Sequence, residues 1–191
     1  MNKIALCVPA VFLFAVSCGF APYFCNFSPL DAHHRSSASG AVEPVAVSKV
    51  PDSSVSRCRI SDSLVDITFS VTMYQIEFSL KNKTGKTLTV DWEKAAYINP
   101  RGERRRVIHG GIVYAQKNVA QHSSRVYKGE TLSDFLLPSE NINVYLYGSG
   151  GWSMVPIFSN SDVGKTAQVV FPVEIGGVTN EYTVRFVINS V

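Results

Sequence analysis

Charge is the first thing this sequence is short of. Asp, Glu, Lys and Arg make up 17% of its 191 residues, below the roughly 25% usual in soluble proteins. The formal net charge is +3, too small to draw the chain to nucleic acid or another strongly charged partner. Signatures of site chemistry are equally sparse. The four histidines, His33, His34, His109 and His122, form no His-Glu-x-x-His pattern. The spacing of Cys25, His33 and His34 fits no compact tetrahedral zinc site. Gly85-Lys86-Thr87 and Gly164-Lys165-Thr166 lack the glycine five residues earlier that a phosphate-cradling loop needs, with Leu80 and Ser159 there instead. Gly148-Ser149-Gly150-Gly151 is glycine-rich but is not the Gly-x-Ser-x-Gly elbow of hydrolases. These absences point away from an enzyme, and no cofactor or metal is expected.

What is present begins at the N-terminus. Lys3 is the only charged residue before Asp31, and residues 4–16 run apolar. This is the pattern of an export signal, short for a stable membrane span. Ala15-Val16-Ser17-Cys18 follows and resembles the lipobox of bacterial lipoproteins, in which signal peptidase II cuts before the cysteine and the cysteine carries the acyl chains. The resemblance implies a signal peptide over 1–17 and lipid attachment at Cys18. Gly19 in place of Asp implies sorting to the outer membrane in a Gram-negative envelope. Ala15 departs from the pattern, which prefers Leu. Several acyl chains anchor stably where one is marginal. A rival reading is an uncleaved signal anchor, because residues 19–30 stay rather apolar; simple secretion after cleavage is the third. All three export the rest of the chain.

Residues 18–57 read as the lipid-attachment site and a disordered linker. From Asp31 onward this stretch is rich in Ser, Ala, Val and Pro, and Ser36-Ser37-Ala38-Ser39-Gly40-Ala41 cannot bury enough surface to offset its ordering entropy. Its expected job is to hold a domain away from the membrane. Of the four cysteines, Cys7 lies in the signal and Cys18 at the lipid site. Cys25 and Cys58 could pair in an oxidising compartment or remain separate thiols.

Period-two alternation then predicts an all-β domain over 58–191. Val65, Ile67, Phe69, Val71 and Met73 form one apolar face, and Tyr74, Ile76, Phe78 and Leu80 another. The phase flip at Met73-Tyr74 predicts a bulge or a strand changing sheets. Asn82-Lys83-Thr84-Gly85 and Asn99-Pro100-Arg101-Gly102 read as turns. Ala167, Val169, Phe171, Val173 and Ile175 alternate up to Gly176-Gly177, and Tyr182, Val184, Phe186 and Ile188 return. Pro172 argues for an edge strand. Seven to nine such strands predict an immunoglobulin-like β-sandwich, with a small β-barrel as the alternative.

Phe78 to Trp92, then Arg106-Val107-Ile108-His109-Gly110-Gly111, then Ser149-Gly150-Gly151-Trp152 together resemble small bacterial lipoproteins with a Trp-acidic, Arg-Val-Ile-His, Gly-Trp order. The resemblance implies fold and location and carries no activity. Three readings of function follow. The first is a non-enzymatic, membrane-tethered module that binds another envelope component, a protein partner. The second is an exported domain that binds an anionic glycan or lipid through Arg104 and Arg106, which alternation places on one face, with Trp152 as a loop anchor. The third is a hydrolase using His109 as base with Asp91 or Glu93 as orienting partner. A structural His109 donating to a backbone carbonyl is the preferred reading of that residue.

Overall fold

The computed structural model describes residues 25–50, 56–145 and 151–191. The signal peptide expected over 1–17 and the lipid-attachment residue Cys18 lie outside the described residues. No helix among those described is long and apolar enough to cross a membrane.

The chain is all-β. Its first half supplies β1 (Asn26–Ser36), β2 (Val42–Pro44), β3 (Ala46–Lys49), β4 (Arg57–Ser61), β5 (Val65–Val71), β6 (Ile76–Asn82) and β7 (Leu88–Val90). The second supplies β8 (Ala96–Ile98), β9 (Arg104–Ile108), β10 (Ser124–Val126), β11 (Thr131–Pro138), β12 (Ile142–Tyr145), β13 (Gly151–Met154), β14 (Thr166–Ile175) and β15 (Val178–Ser190). Thirteen of these form one antiparallel sheet in the order β2-β1-β15-β14-β8-β9-β11-β6-β5-β4-β3, with β7 on β14 and β10 on β7. The two ends of that order are consecutive in the chain. β2 pairs with β1, β3 pairs with β4, and only the buried Val45 separates them. One short segment therefore joins both ends of the sheet, and the whole is nearly barrel-shaped.

Alternation drives this arrangement. In β5 every second residue, Val65, Ile67, Phe69 and Val71, is buried, and in β6 Ile76, Phe78 and Leu80 are. The polar residues between them face outward, as expected of an antiparallel sheet with one wet face. Phe78 packs on Phe171 at 4.8 Å between ring centroids and on Trp92 at 6.0 Å, so the aromatic centre of the core joins β6, β14 and the segment after β7. The pair β12–β13 stands apart and covers a second small cluster of Ile108, Leu137 and Ile142.

Several expectations are corrected. The linker expected over 18–57 is not linker from Asn26 to Lys49: β1 runs antiparallel to β15 from Asn26↔Ser190 to Ser36↔Asn180. The β domain accordingly begins at β1 and not at position 58. The composition misleads because β1 draws its partners from β15. Asp31 accepts a hydrogen bond from Arg185 Nε at 2.8 Å, and His34 stacks on Tyr182 at 4.8 Å. The phase flip at Met73-Tyr74 is a hairpin, not a bulge. The Thr72 hydroxyl accepts from the N–H groups of Tyr74 and Gln75 and donates to the Gln75 carbonyl, supplying the turn chemistry that no Gly, Pro or Asn provides. Pro172 is buried in the middle of the sheet. It sits where β14 changes neighbour, since β8 pairs with Gln168–Val170 and β7 with Val173–Ile175, so its missing donor faces a gap between partners. The turn at Asn99–Gly102 is as expected, with Gly102 at φ 81° and its N–H bonded to the Asn99 carbonyl at 2.8 Å.

Candidate functional site

Two polar clusters lie on either side of β9, and they differ in how fully their hydrogen bonds are met. The first is built around His109. Just past β9 the chain turns through Gly110-Gly111, and Asp134 of β11 reaches across to it. His109 Nδ1 lies 3.1 Å from Asp134 Oδ2, while the N–H groups of Gly110 and Phe135 donate to Asp134 Oδ1 at 2.7 and 2.8 Å. A Cβ on Gly110 would lie 2.6 Å from Asp134 Oδ1, so glycine lets the backbone come this close. Trp92 stacks on the imidazole at 4.2 Å and 10°, and its Nε1–H donates to Ser124 Oγ at 2.9 Å. Gln121 completes the frame. Its Nε2 donates to the Val107 carbonyl at 2.8 Å and its backbone N–H to Glu93 Oε1 at 2.7 Å.

This cluster corrects the sequence reading of His109. The carboxylate partner is Asp134, not Asp91 or Glu93. Asp91 pairs with Lys94 at 2.7 Å, and Glu93 holds Arg106 at 2.8 Å. Nor is the partner a backbone carbonyl. A histidine oriented by a carboxylate is half of a general-base arrangement, but both side chains are only 12% exposed and one face of the ring is covered by Trp92. The geometry bridges β9 and β11 where only two residue pairs, Leu137↔Ile108 and Pro138↔Val107, connect them. Asp134 was missed in the sequence because it lies in β11, distant in the chain and flanked by no motif.

The second cluster is a cleft of about 390 Å³ on the β8 side of β9. Tyr97 and Arg105, directly opposite each other across the β8–β9 pair, line it together with Glu140, Asp162, Pro156 and Phe158. Tyr97 is 2% exposed and packs edge-on against Phe158 at 6.0 Å. Burial, and then the charge of Asp162, push its hydroxyl above the ordinary tyrosine value. The terminal nitrogens of Arg105 are engaged by Glu103 and Glu140.

The arginines expected to form a basic face divide as alternation predicts, with Arg104 and Arg106 opposite Ile98 and Ala96 and Arg105 turned the other way. Arg106 is paired with Glu93 and also donates to the Val119 carbonyl, while Arg104 donates to the Lys94 carbonyl at 2.9 Å. Trp152 lies on β13, in the separate two-stranded sheet, and is 52% exposed. None of these three is among the described residues that line the cleft. Cys25 and Cys58, expected either to pair or to stay apart, are both buried free thiols. Burial pushes Cys25 up to about 11 and Cys58 up to about 12. No group of three or more His, Cys, Asp and Glu among the described residues is placed to hold a metal ion. No protein-family model matches the chain, and neither a curated protein nor a solved structure is similar to it.

Proposed function

We propose that this protein is a cell-envelope lipoprotein, anchored through Cys18, whose β domain works as a non-enzymatic binding or assembly module. The observation that carries the reading is the apolar run over 4–16, whose last two residues open Ala15-Val16-Ser17-Cys18. The fold supports it with a second point. β1 begins at Asn26, eight residues beyond Cys18, and eight residues reach at most about 29 Å at ~3.6 Å each. The domain is thus kept close to its membrane, where its partner is another envelope protein. The outer membrane is the destination that Gly19 favours. Three of the four arginines between 101 and 106 have carboxylate partners within 4 Å, which favours a protein surface or a neutral ligand over a polyanion.

The test is expression of the full chain and a Cys18→Ser variant in a bacterial host, with intact mass, membrane fractionation and crosslinking in cells. The expected result is a mature protein that begins at an acylated Cys18, sits in the membrane and crosslinks to an envelope protein. The variant loses the acyl mass and the membrane fraction. An uncleaved chain that stays in the membrane with or without Cys18 would replace the lipid anchor by a signal anchor.

A further inference from the structure

The outer face of the sheet is polar by alternation, but it is not evenly filled. Across β4, β5, β6 and β11 its residues fall into cross-strand rows. Arg57, Ser70, Glu77 and Phe135 form one, and Asp66, Lys81 and Thr131 another. Between them runs a row of short side chains, Thr68, Ser79 and Ser133, with Arg59 at its β4 end. Longer neighbours on both sides and hydroxyls along the middle leave a groove. Two hollows of about 430 and 410 Å³ lie along it, and Arg57, Thr68 and Ser79 line both. None of these three is buried, so the floor and its arginine are open to a ligand.

The charges of the groove are not all answered. Arg59 is closed on Asp66, with Nε donating at 2.8 Å. Glu77 accepts from Ser70 and Gln75 at 3.3 and 3.2 Å. Asp134 also lines one hollow, but it stands opposite Phe78 of the core and spends its carboxylate on His109 and two backbone N–H groups. Arg57 and Lys81 are exposed and have no carboxylate within 4 Å among the described residues. With Asp134 turned inward, Arg57, Arg59 and Lys81 face only Asp66 and Glu77.

A surplus of one positive charge asks for one carboxylate and not for a polyanion. The row of hydroxyls, set at the ~4.8 Å strand spacing, offers donors and acceptors at about the interval of successive sugars in an extended glycan. It crosses four strands, about 14 Å at that spacing and the length of about three sugar rings. An extended peptide finds less here, because its backbone pairs with a strand edge and this face presents side chains.

We propose that this groove binds a short glycan with one acidic sugar, whose carboxylate pairs with the Arg57 guanidinium while neighbouring sugar hydroxyls bond to Thr68, Ser79 and Ser133. The proposal rests on the binding half of the functional reading and does not depend on the lipid anchor.

The experiment uses the full-length chain solubilised in a zwitterionic, sugar-free detergent. Saturation-transfer NMR is recorded with sialyllactose and glucuronosyl-xylotriose, each with one carboxylate, and with lactose and xylotriose as their neutral counterparts. At least one acidic sugar is expected to receive saturation and to bind about 10-fold more tightly than its counterpart, the worth of one hydrogen bond to a charged group. Arg57→Gln is expected to remove that difference, so that acidic and neutral forms bind alike. Arg57 is exposed, and unchanged melting of the variant separates loss of its charge from loss of the fold. Ser79→Gln fills the floor that both hollows share and is expected to weaken every probe that binds. Cys18→Ser is expected to bind as the parent does, which separates failure here from failure of the anchor. Transfer to neither acidic sugar, an acid preference that survives Arg57→Gln, or displacement by inorganic phosphate or by a short peptide with one glutamate would overturn the proposal. So would a dimer, read by sedimentation, that Arg57→Gln dissolves, since a second copy would then occupy the face.

Discussion

The His109 cluster and the Tyr97 cleft are built from the same strand, yet their polar groups are met to different degrees, with Arg106 Nε at the edge of the first cluster also unpartnered among the described residues. On one side of β9, Asp134 accepts from His109 and two backbone N–H groups, Gln121 is bonded through its amide and its backbone, and Trp92 Nε1 has its hydroxyl acceptor. On the other, Tyr97 Oη and Arg105 Nε are buried with nothing to donate to among the described residues. A polar cluster whose groups are answered from within the chain holds strands together. One that leaves donors over contributes less to that hold. The sequence favours a structural His109, which agrees with its satisfied cluster, and singles out nothing at Tyr97.

The comparison can be broken at several points. The largest effect is expected for Trp92→Ala. Trp92 is fully buried among Phe78, Phe171 and His109, and its loss should cost about 3–5 kcal/mol in denaturant unfolding. Next come Gly110→Ala, which forces its Cβ against the Asp134 carboxylate, and Asp134→Ala, which strands the donors that converge there. Each should cost about 1–3 kcal/mol. If both melt like the parent, the bridge between β9 and β11 is not a stabilising element. Tyr97→Phe, by contrast, removes a hydroxyl with no partner among the described residues, so unfolding should stay within about 0.5 kcal/mol of the parent. A clear loss would mean the hydroxyl is already satisfied, and the contrast between the two sides would collapse.

The smallest effects are those of pH. Burial raises Cys25 and Cys58 from an ordinary 9.0 to about 11 and about 12. The native state therefore keeps protons that the unfolded chain releases. This contribution to stability is full below pH 9 and is lost as the pH rises through 11–12. At pH 8 both thiols should resist a thiol reagent until denaturant is added, and fast native labelling would contradict their burial. At the acid end the sign reverses. The hydrogen bond from Arg185 holds Asp31 below its ordinary 3.8, so its contribution is present above 3.8 and fades as the pH falls through the lowered value. Arg185→Gln should flatten that acid limb, read as melting temperature against pH.

How far the sequence could be read depends on where each partner lies. β14 and β15 are legible because Ala167 to Ile175 and Tyr182 to Ile188 alternate and a Gly-Gly turn joins them. The all-β class follows from such runs. β1 is not legible, because Asp31, His33 and His34 look like solvated chain until Arg185, Thr183 and Tyr182 are set beside them. Pro172 misleads for the same reason: its tolerance depends on two other strands ending beside it. At the cleft, alternation places Arg105 opposite in facing to Arg104 and Arg106. What it cannot supply is Tyr97 across the strand or Asp162 from the far side, since these pairings exist only after folding.

The antiparallel pairing of β1 with β15 also has a mechanical meaning. Its register begins at Asn26↔Ser190, the end nearest Cys18, and finishes at Ser36↔Asn180 beside the β14–β15 turn, about 34 Å away at ~3.4 Å per residue step from Asn26 to Ser36. A load applied at that far turn while Cys18 is fixed would run along both strands. The hydrogen bonds between them would then share the force in shear instead of opening one at a time. A load applied beside Ser190 would peel the same ladder from its end. The direction in which a partner pulls would therefore decide whether β1 is a strap or a zip.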